Sequence, residues 1–269
     1  MGESTLLDRG NLDNHSRCVD EMKPYYHDEK SGITIYNGNC LEIMPTLPKV
    51  DLIVTDPPYG LNYNDGDLAH NWEKVFGGDV SRMEERPIQN DGEEIAYKTF
   101  KQFLKIAKEK LLKGGACCCC CCGGGPKPLF AKWTLLMDEI IGFKHAVVWD
   151  KGGLGMGMHF RRNYEFILVA QNGSPAHRWN GGNMTPNVWR LGKIIPQEWQ
   201  HPTEKPTELM GKCINLFSNK DDLILDPFMG RGATILSAKE LGRRAIGIDI
   251  EERWCEKTAK RLSQEVFNF

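Results

Sequence analysis

No run of about 18 consecutive apolar residues occurs anywhere in the 269-residue chain, so no membrane-spanning helix is expected. Residues Met1 to Tyr26 are polar and mixed in charge, without the apolar centre of a secretory signal. The chain begins Met-Gly, but Leu6 stands where a myristoylation signal needs Ser or Thr. A soluble, cytoplasmic protein is the expectation. Charge of one sign is also lacking: the formal net charge is −2, too balanced to mark a polyanion-binding protein by itself. What the chain does have is length and an apolar content of 41 %, enough for one large domain with a substantial core.

Charge is unevenly spread. Residues 61–95 hold nine acids against Lys74, Arg82 and Arg86, a net of −6. Residues 151–205 hold seven bases, among them Arg161, Arg162, Arg178 and Arg190, against Glu165, Glu198 and Glu204, a net of +4. A phosphate-facing surface is expected in the second stretch, with ordinary solvated charge as the competing explanation. Of ten cysteines, six are consecutive, Cys117 to Cys122, flanked by Gly114-Gly115 and Gly123-Gly124-Gly125. Neighbouring side chains on a strand point to opposite faces, so these thiols do not converge on one metal. Two readings stand: an artefact in the sequence, or a buried strand of small thiols. Cys18, Cys40, Cys213 and Cys255 are scattered and read as reduced.

Strands are expected at 32–36, 51–55, 145–149, 164–170, 223–225 and 245–248, each a short apolar run. Helices are expected at 41–47, behind Asp91 as far as Gly114, near Trp133 to Ile141, from Pro206, at 234–241 and at 251–262. Phe100, Phe103, Leu104, Ala107 and Leu111 recur at helical spacing and read as core. Asp91 to Glu94 has the spacing of a cap with a reciprocal acid. Residues 61–90 and 171–200 read as loop. Alternating strands and helices imply a mostly parallel sheet covered on both faces. Residues 1–31 read as an extension and 32–269 as the domain.

Two strand ends carry the chemistry. The strand 51–55 runs into Asp56-Pro57-Pro58-Tyr59, and the strand 223–225 runs into Asp226-Pro227-Phe228-Met229-Gly230-Arg231-Gly232. In the second, glycines let a backbone approach a bulky ligand, and the following helix start offers free N–H groups. The spacing is neither that of a G-x-G-x-x-G turn nor that of a phosphate loop. A tight structural turn is the competing explanation. Asp249, about 20 residues on and at the next strand end, is where an acid gripping ribose hydroxyls is expected. In the first motif, the Asp56 carboxylate and the Pro57 carbonyl can each accept a hydrogen from an exocyclic amine. That would free a lone pair otherwise delocalised into a base. Paired prolines stiffen the loop, and Tyr59 offers a ring for stacking. A plain Asp-Pro turn is the competing reading. No metal-ligand cluster is evident.

The order Asp56-Pro57-Pro58-Tyr59, then His201-Pro202-Thr203-Glu204-Lys205-Pro206, then Asp226 to Gly232 resembles the beta-group amino DNA methyltransferases, which use S-adenosylmethionine. The resemblance spans most of residues 32–263. It implies a class I methyltransferase fold, Rossmann-like, with a seven-stranded sheet, a seventh strand antiparallel, and a circularly permuted motif order. It implies methyl transfer to adenine N6 in duplex DNA with base flipping. Asp56, Pro57, Pro58 and Tyr59 would be catalytic. Asp226, Phe228, Gly230, Gly232, Thr234 and Asp249 would bind cofactor. Lys205, Pro206 and Thr207 would close over its methionine end, and Asn39 would meet its adenine. Gly38-Asn39-Cys40 departs from the family's Gly-Asp, and the cysteine tract falls on the expected fifth strand. Target recognition is placed at about 150–200 and in part at 61–90. The resemblance further implies a homodimer, and leaves open both a restriction endonuclease partner and a solitary or phage-borne enzyme. Cytosine N4 methylation and a silent DNA-binding module are the alternatives. Cytosine C5 methylation is disfavoured, because no Pro-Cys dipeptide supplies its nucleophile.

Overall fold

The computed structural model describes residues 23–60, 92–123, 128–153, 160–176, 178–192 and 205–264. The loop expected at 61–90, the proposed cap residue Asp91 and His201 to Glu204 lie outside these residues. Among the described residues nine strands form one sheet: β1 (Tyr26–Asp28), β2 (Ile33–Asn37), β3 (Val50–Thr55), β4 (Leu112–Gly123), β5 (Phe143–Asp150), β6 (Tyr164–Gln171), β7 (Val188–Arg190), β8 (Leu223–Asp226) and β9 (Arg244–Asp249). Their spatial order is β1-β2-β9-β8-β3-β4-β6-β5-β7. The helices are α1 (Cys40–Ile43), α2 (Glu93–Ile106), α3 (Leu129–Ile140), α4 (Thr207–Phe217), α5 (Ala233–Glu240) and α6 (Glu252–Ser263).

Strands β2, β9, β8, β3 and β4 are parallel, and β6 runs antiparallel between β4 and β5. That is the expected seven-stranded arrangement with one reversed strand. Two short edge strands extend it to nine: β1 pairs antiparallel with β2, and β7 pairs parallel with β5. Strand β1 falls in the span read as an extension, and β7 in one read as loop. Both are three residues long, too short to show a hydrophobic period.

Two apolar clusters, one on each face of the sheet, explain why the middle strands are apolar throughout. Leu52, Val54 and Ile224 pack with α4 and α5, while Ile53 and Leu225 pack with α2 and α3. The cysteine tract lies on β4 and divides between the same two clusters. Cys117, Cys119 and Cys121 enter one, and Cys118, Cys120 and Cys122 enter the other, each at most 4 % exposed. The period-two alternation of a strand produces that split. Ahead of the tract, Gly115 N–H donates to Asn172 O at 2.6 Å and Asn172 N–H donates to Ala116 O at 2.9 Å. The Asn172 side-chain amide also donates to Leu112 O at 2.9 Å.

The stripe Phe100, Phe103, Leu104, Ala107 and Leu111 is buried as expected. Its helix ends earlier than Gly114, however. A π turn, Ala107–Leu111, follows α2, and β4 begins at Leu112. The N-cap of α2 is Gly92, without a side-chain cap bond. Asp51, buried mid-sheet, has its charge answered by Lys113 Nζ at 2.7 Å and Leu223 N–H at 3.0 Å. It therefore belongs to the scaffold. No helix among the described residues is long and apolar enough to cross a membrane.

Candidate active site

Strands β3 and β8 are hydrogen-bonded neighbours, with Leu52 opposite Ile224 and Ile53 opposite Leu225. Their carboxyl ends therefore deliver Asp56 and Asp226 side by side, although 170 positions separate them. Thr55 Oγ1 donates to Asp226 Oδ1 at 2.6 Å and ties the two ends together. Phe228 N–H donates to the same oxygen at 3.1 Å, which turns the chain away from the strand. Burial pushes the Asp226 carboxyl up to about 6, against its hydrogen bonds from Thr55 and the Phe228 N–H.

Asp56 is bound on both carboxylate oxygens. Tyr59 Oη donates to Oδ1 at 2.7 Å, and Lys205 Nζ meets Oδ2 at 2.7 Å. Burial raises the Asp56 carboxyl, while Lys205 and Tyr59 oppose the rise. Lys205 itself is 7 % exposed, and its ammonium lies 5.2 Å from the centre of the Tyr59 ring. Burial works against its charge, but Asp56 and Glu165 together hold the ammonium above the usual lysine range. The Tyr59 ring meets Trp133 edge-on at 5.7 Å, and Trp133 stacks on Phe100 at 3.9 Å. A Cβ on Gly123 would stand 3.0 Å from Tyr59 Cδ2 and Cε2, so the end of β4 also sets the ring's position.

Sequence reasoning missed Glu165 and Lys151. Glu165, the second residue of β6, lies opposite Gly123 of β4 and Trp149 of β5, on the same rim as Asp56. Its Oε2 lies 3.5 Å from Lys205 Nζ, and its Oε1 accepts from Lys151 Nζ at 2.7 Å. Burial disfavours this carboxylate, yet Lys205 and Lys151 hold it below the usual glutamate range. One acid in a mostly apolar strand carries no motif, so only the register reveals it.

Asp249 ends β9, beside β8. Its Oδ2 accepts Gly230 N–H at 2.9 Å and its Oδ1 accepts Glu251 N–H at 2.8 Å. Burial pushes this carboxyl up to about 7. The two glycines of the turn differ. A Cβ on Gly230 would meet nothing within 4 Å, whereas one on Gly232 would stand 2.3 Å from Thr258 Cγ2. Gly230 therefore faces open space, and Gly232 is required by packing against α6. Thr234 is buried and donates to Val54 O at 3.3 Å, which braces α5 on β3. Phe228 packs edge-on to Phe103 at 5.6 Å. Asn39 caps α1: its Oδ1 accepts Leu41 N–H at 3.1 Å and its Nδ2 donates to Glu42 at 2.9 Å. Gly38 N–H donates to Asp249 O at 2.9 Å, so this cap adjoins Asp249. Pro206 is the N-cap of α4, and Thr207 O accepts from Ser237 Oγ at 2.8 Å.

The arginines divide. Arg161 and Arg162 precede β6 and Arg190 ends β7, on the rim that carries Asp56. Arg190 pairs with Asp150 at 3.3 Å and remains 87 % exposed. Arg178 instead pairs with Asp222 at 3.3 Å, just before β8 begins and hence at the other end of that strand from Asp226. No group of three or more potential metal ligands occurs among the described residues.

Residues 50–261 match the family model N6_N4_Mtase, described as DNA methylase. Type II methyltransferase M.HpaI of Haemophilus parainfluenzae is 37 % identical over 245 residues, covering 86 % of this chain and 74 % of that protein. DNA adenine methyltransferase YhdJ of Escherichia coli (strain K12) is 26 % identical over 265 residues, covering 85 % and 82 %. Among solved structures, M1.HpyAVI in complex with SAM is similar at TM-score 0.62 and 23 % identity, covering 86 % of this chain and all of that one. The cytosine-N4-specific PvuII DNA methyltransferase is similar at TM-score 0.69 and 17 % identity, covering 93 % and 91 %. These structural likenesses concern the fold. With the paired strand ends, the reversed strand and a family match over most of its length, this chain belongs to the S-adenosylmethionine-dependent amino DNA methyltransferases of the N6/N4 family.

Proposed function

We propose that this protein transfers a methyl group from S-adenosylmethionine to N6 of adenine in duplex DNA. The observation that carries the reading is the adjacency of Asp56 and Asp226 on paired central strands. In open α/β sheets, ligands bind at the carboxyl ends of such strands. The cofactor supplies an electrophilic methyl on a sulfonium, already a good leaving group. The chain's own work is to hold and polarise the amine. Asp56 and the Pro57 carbonyl accept its two hydrogens, which draws the nitrogen toward tetrahedral geometry. Tyr59 offers its ring to the extruded base, whose unstacking costs a few kcal/mol. Positioning of this kind is worth up to about 7–11 kcal/mol in favourable cases.

The residues present fit a nucleoside cofactor. The turn is open at Gly230, and the Asp249 carboxylate has lone pairs beyond the two that accept backbone N–H groups. Asp249 would accept from ribose hydroxyls, with Phe228 packing nearby and Lys205 to Thr207 beside the methionine end. Asn39, spent largely on its helix cap, retains one donor and one lone pair for an adenine. Arg161, Arg162 and Arg190 are the candidates for DNA contact on the rim. Adenine is favoured because the resemblance associates an Asp-first tetrapeptide with adenine N6 and a Ser-first one with cytosine N4, and because YhdJ is named an adenine methyltransferase. The same acceptors would serve cytosine N4.

The test is nucleoside analysis of DNA from cells expressing the protein. N6-methyladenine is expected, and it should vanish with Asp56→Ala while cofactor binding by the purified variant persists. N4-methylcytosine in its place would reassign the base. Undiminished methylation by Asp56→Ala would remove Asp56 from the chemistry.

A further inference from the structure

Lys205 holds the two features that an incoming base needs. Its ammonium sits on Asp56 Oδ2 at 2.7 Å and 5.2 Å from the centre of the Tyr59 ring. Tyr59 occupies the other oxygen of Asp56. A buried ammonium cannot leave one carboxylate without another to receive it, because an unpaired buried charge is costly. Glu165 is within reach. Its Oε2 is 3.5 Å from Lys205 Nζ and accepts no hydrogen bond among the described residues, while Lys151 anchors its Oε1 at 2.7 Å. The four groups alternate in sign, Lys151, Glu165, Lys205, Asp56, and their formal charges cancel.

We propose that Glu165 is a positioning residue for methyl transfer: it receives the Lys205 ammonium when the target base takes that ammonium's place on Asp56 and over Tyr59. The inference rests on the reading above, in which Asp56 accepts hydrogen bonds from the target amine. The receiving oxygen is already close, 3.5 Å from the ammonium against 2.7 Å for the one it leaves, so the exchange is a rotation about the lysine's own side-chain bonds. Lys151 keeps Glu165 ionised and facing the site throughout. A glutamine at 165 would keep the shape and the bond to Lys151 but lose the charge, leaving Lys205 committed to Asp56.

The test is methyl incorporation into plasmid DNA by Glu165→Gln and Glu165→Asp across pH, with calorimetric cofactor affinity and thermal unfolding alongside. The groups facing Asp56 are Lys205, Tyr59, Glu165, Asp226, Cys121 and Cys122, from the segment just before α4, the loop after β3, and strands β6, β8 and β4. Of these, Glu165 is a carboxylate that raises the Asp56 carboxyl, so its removal lowers it. For Glu165→Gln, kcat/KM for DNA should fall about 10- to 100-fold, as expected for a misplaced site group. Its acidic limb should move to lower pH, with cofactor affinity unchanged. Glu165→Asp should return the limb to its original place at an intermediate rate. A wild-type rate in Glu165→Gln, or a loss with an unmoved limb, overturns the proposal. If the glutamine variant does not fold, the aspartate variant decides alone: its carboxylate is drawn back by one methylene, and an undiminished DNA kcat/KM overturns the proposal. Asp56→Ala, run in parallel, separates the two failures. If it retains incorporation, the underlying reading has failed; if it alone is inactive, only the role of Glu165 has.

Discussion

Replacing Gly232 and Gly230 by alanine separately asks which glycine of the turn serves the fold and which serves the ligand. At Gly232, φ is +78°, a left-handed conformation that costs a Cβ-bearing residue about 1–2 kcal/mol. The added carbon would lie 2.3, 2.9 and 3.2 Å from Cγ2, Oγ1 and Cβ of Thr258. Rotating the threonine does not relieve this, because its Cβ is itself too close. Thr258 is fully buried on α6, so the helix must shift. Overpacking of this kind costs about 1–3 kcal/mol more. The total of about 2–5 kcal/mol, at roughly 2–4 °C per kcal/mol, predicts a fall in Tm of about 4–20 °C. At Gly230 the added carbon meets nothing within 4 Å, and only the φ of +50° is penalised. Gly230→Ala should unfold within a few degrees of the parent yet bind S-adenosylmethionine more weakly. Thermal unfolding without ligand and calorimetry with it measure both. Parental Tm with lost cofactor binding in Gly232→Ala would refute the packing argument and return that glycine to the ligand.

Two further outcomes follow from burial. The Asp249 carboxyl, held near 7 in the fold against about 3.9 in an unfolded chain, makes the native state bind the extra proton between those values. Its contribution to stability is thus fully present below about pH 4 and lost as pH rises through about 7. The stability of Asp249→Asn relative to the parent should therefore improve from pH 5 to pH 7.5 by about 2–3 kcal/mol, and a pH-independent difference in chemical denaturation would count against it. The cysteines Cys117 and Cys122 have thiols pushed up to about 12 by burial, and the whole tract is enclosed. In a Cys18→Ala background, Ellman's reagent should find no thiol within minutes in the native protein and nine after denaturation; rapid native reaction would disprove the enclosure.

The mostly parallel sheet was legible in the residues, because its strands are apolar runs that stop at a proline, glycine or polar turn; the reversed strand and the meeting of the two Asp-Pro ends came only from the resemblance in motif order. The edge strands β1 and β7 were not legible, since three residues cannot display a period. Chemistry fared unevenly for a related reason. Asp56, Asp226 and Asp249 lie at strand ends and announce themselves. Glu165 reaches the same rim only through the antiparallel pairing of β6, which no local pattern encodes. Gly232 looked like ligand space but answers to Thr258, 26 positions away in sequence. Thr234, expected at the cofactor, also braces the sheet through Val54, a bond that no local pattern announces. Arg178, grouped with the other bases by charge alone, sits at the opposite end of β8 from Asp226.

Six identical side chains in a row make β4 a ladder with interchangeable rungs. Sliding such a strand by two positions returns much the same residues to the same core, so its own packing says little about where it should stop. A strand usually locks its alignment through the distinct shapes it presents. Here that information must come from outside the repeat. The backbone clasp between Gly115, Ala116 and Asn172 fixes one end, and Gly123 against the Tyr59 ring fixes the other. The alignment of the central sheet is thus coupled to the reaction chamber. A slip that the core would tolerate would carry Gly123 out from under the aromatic ring.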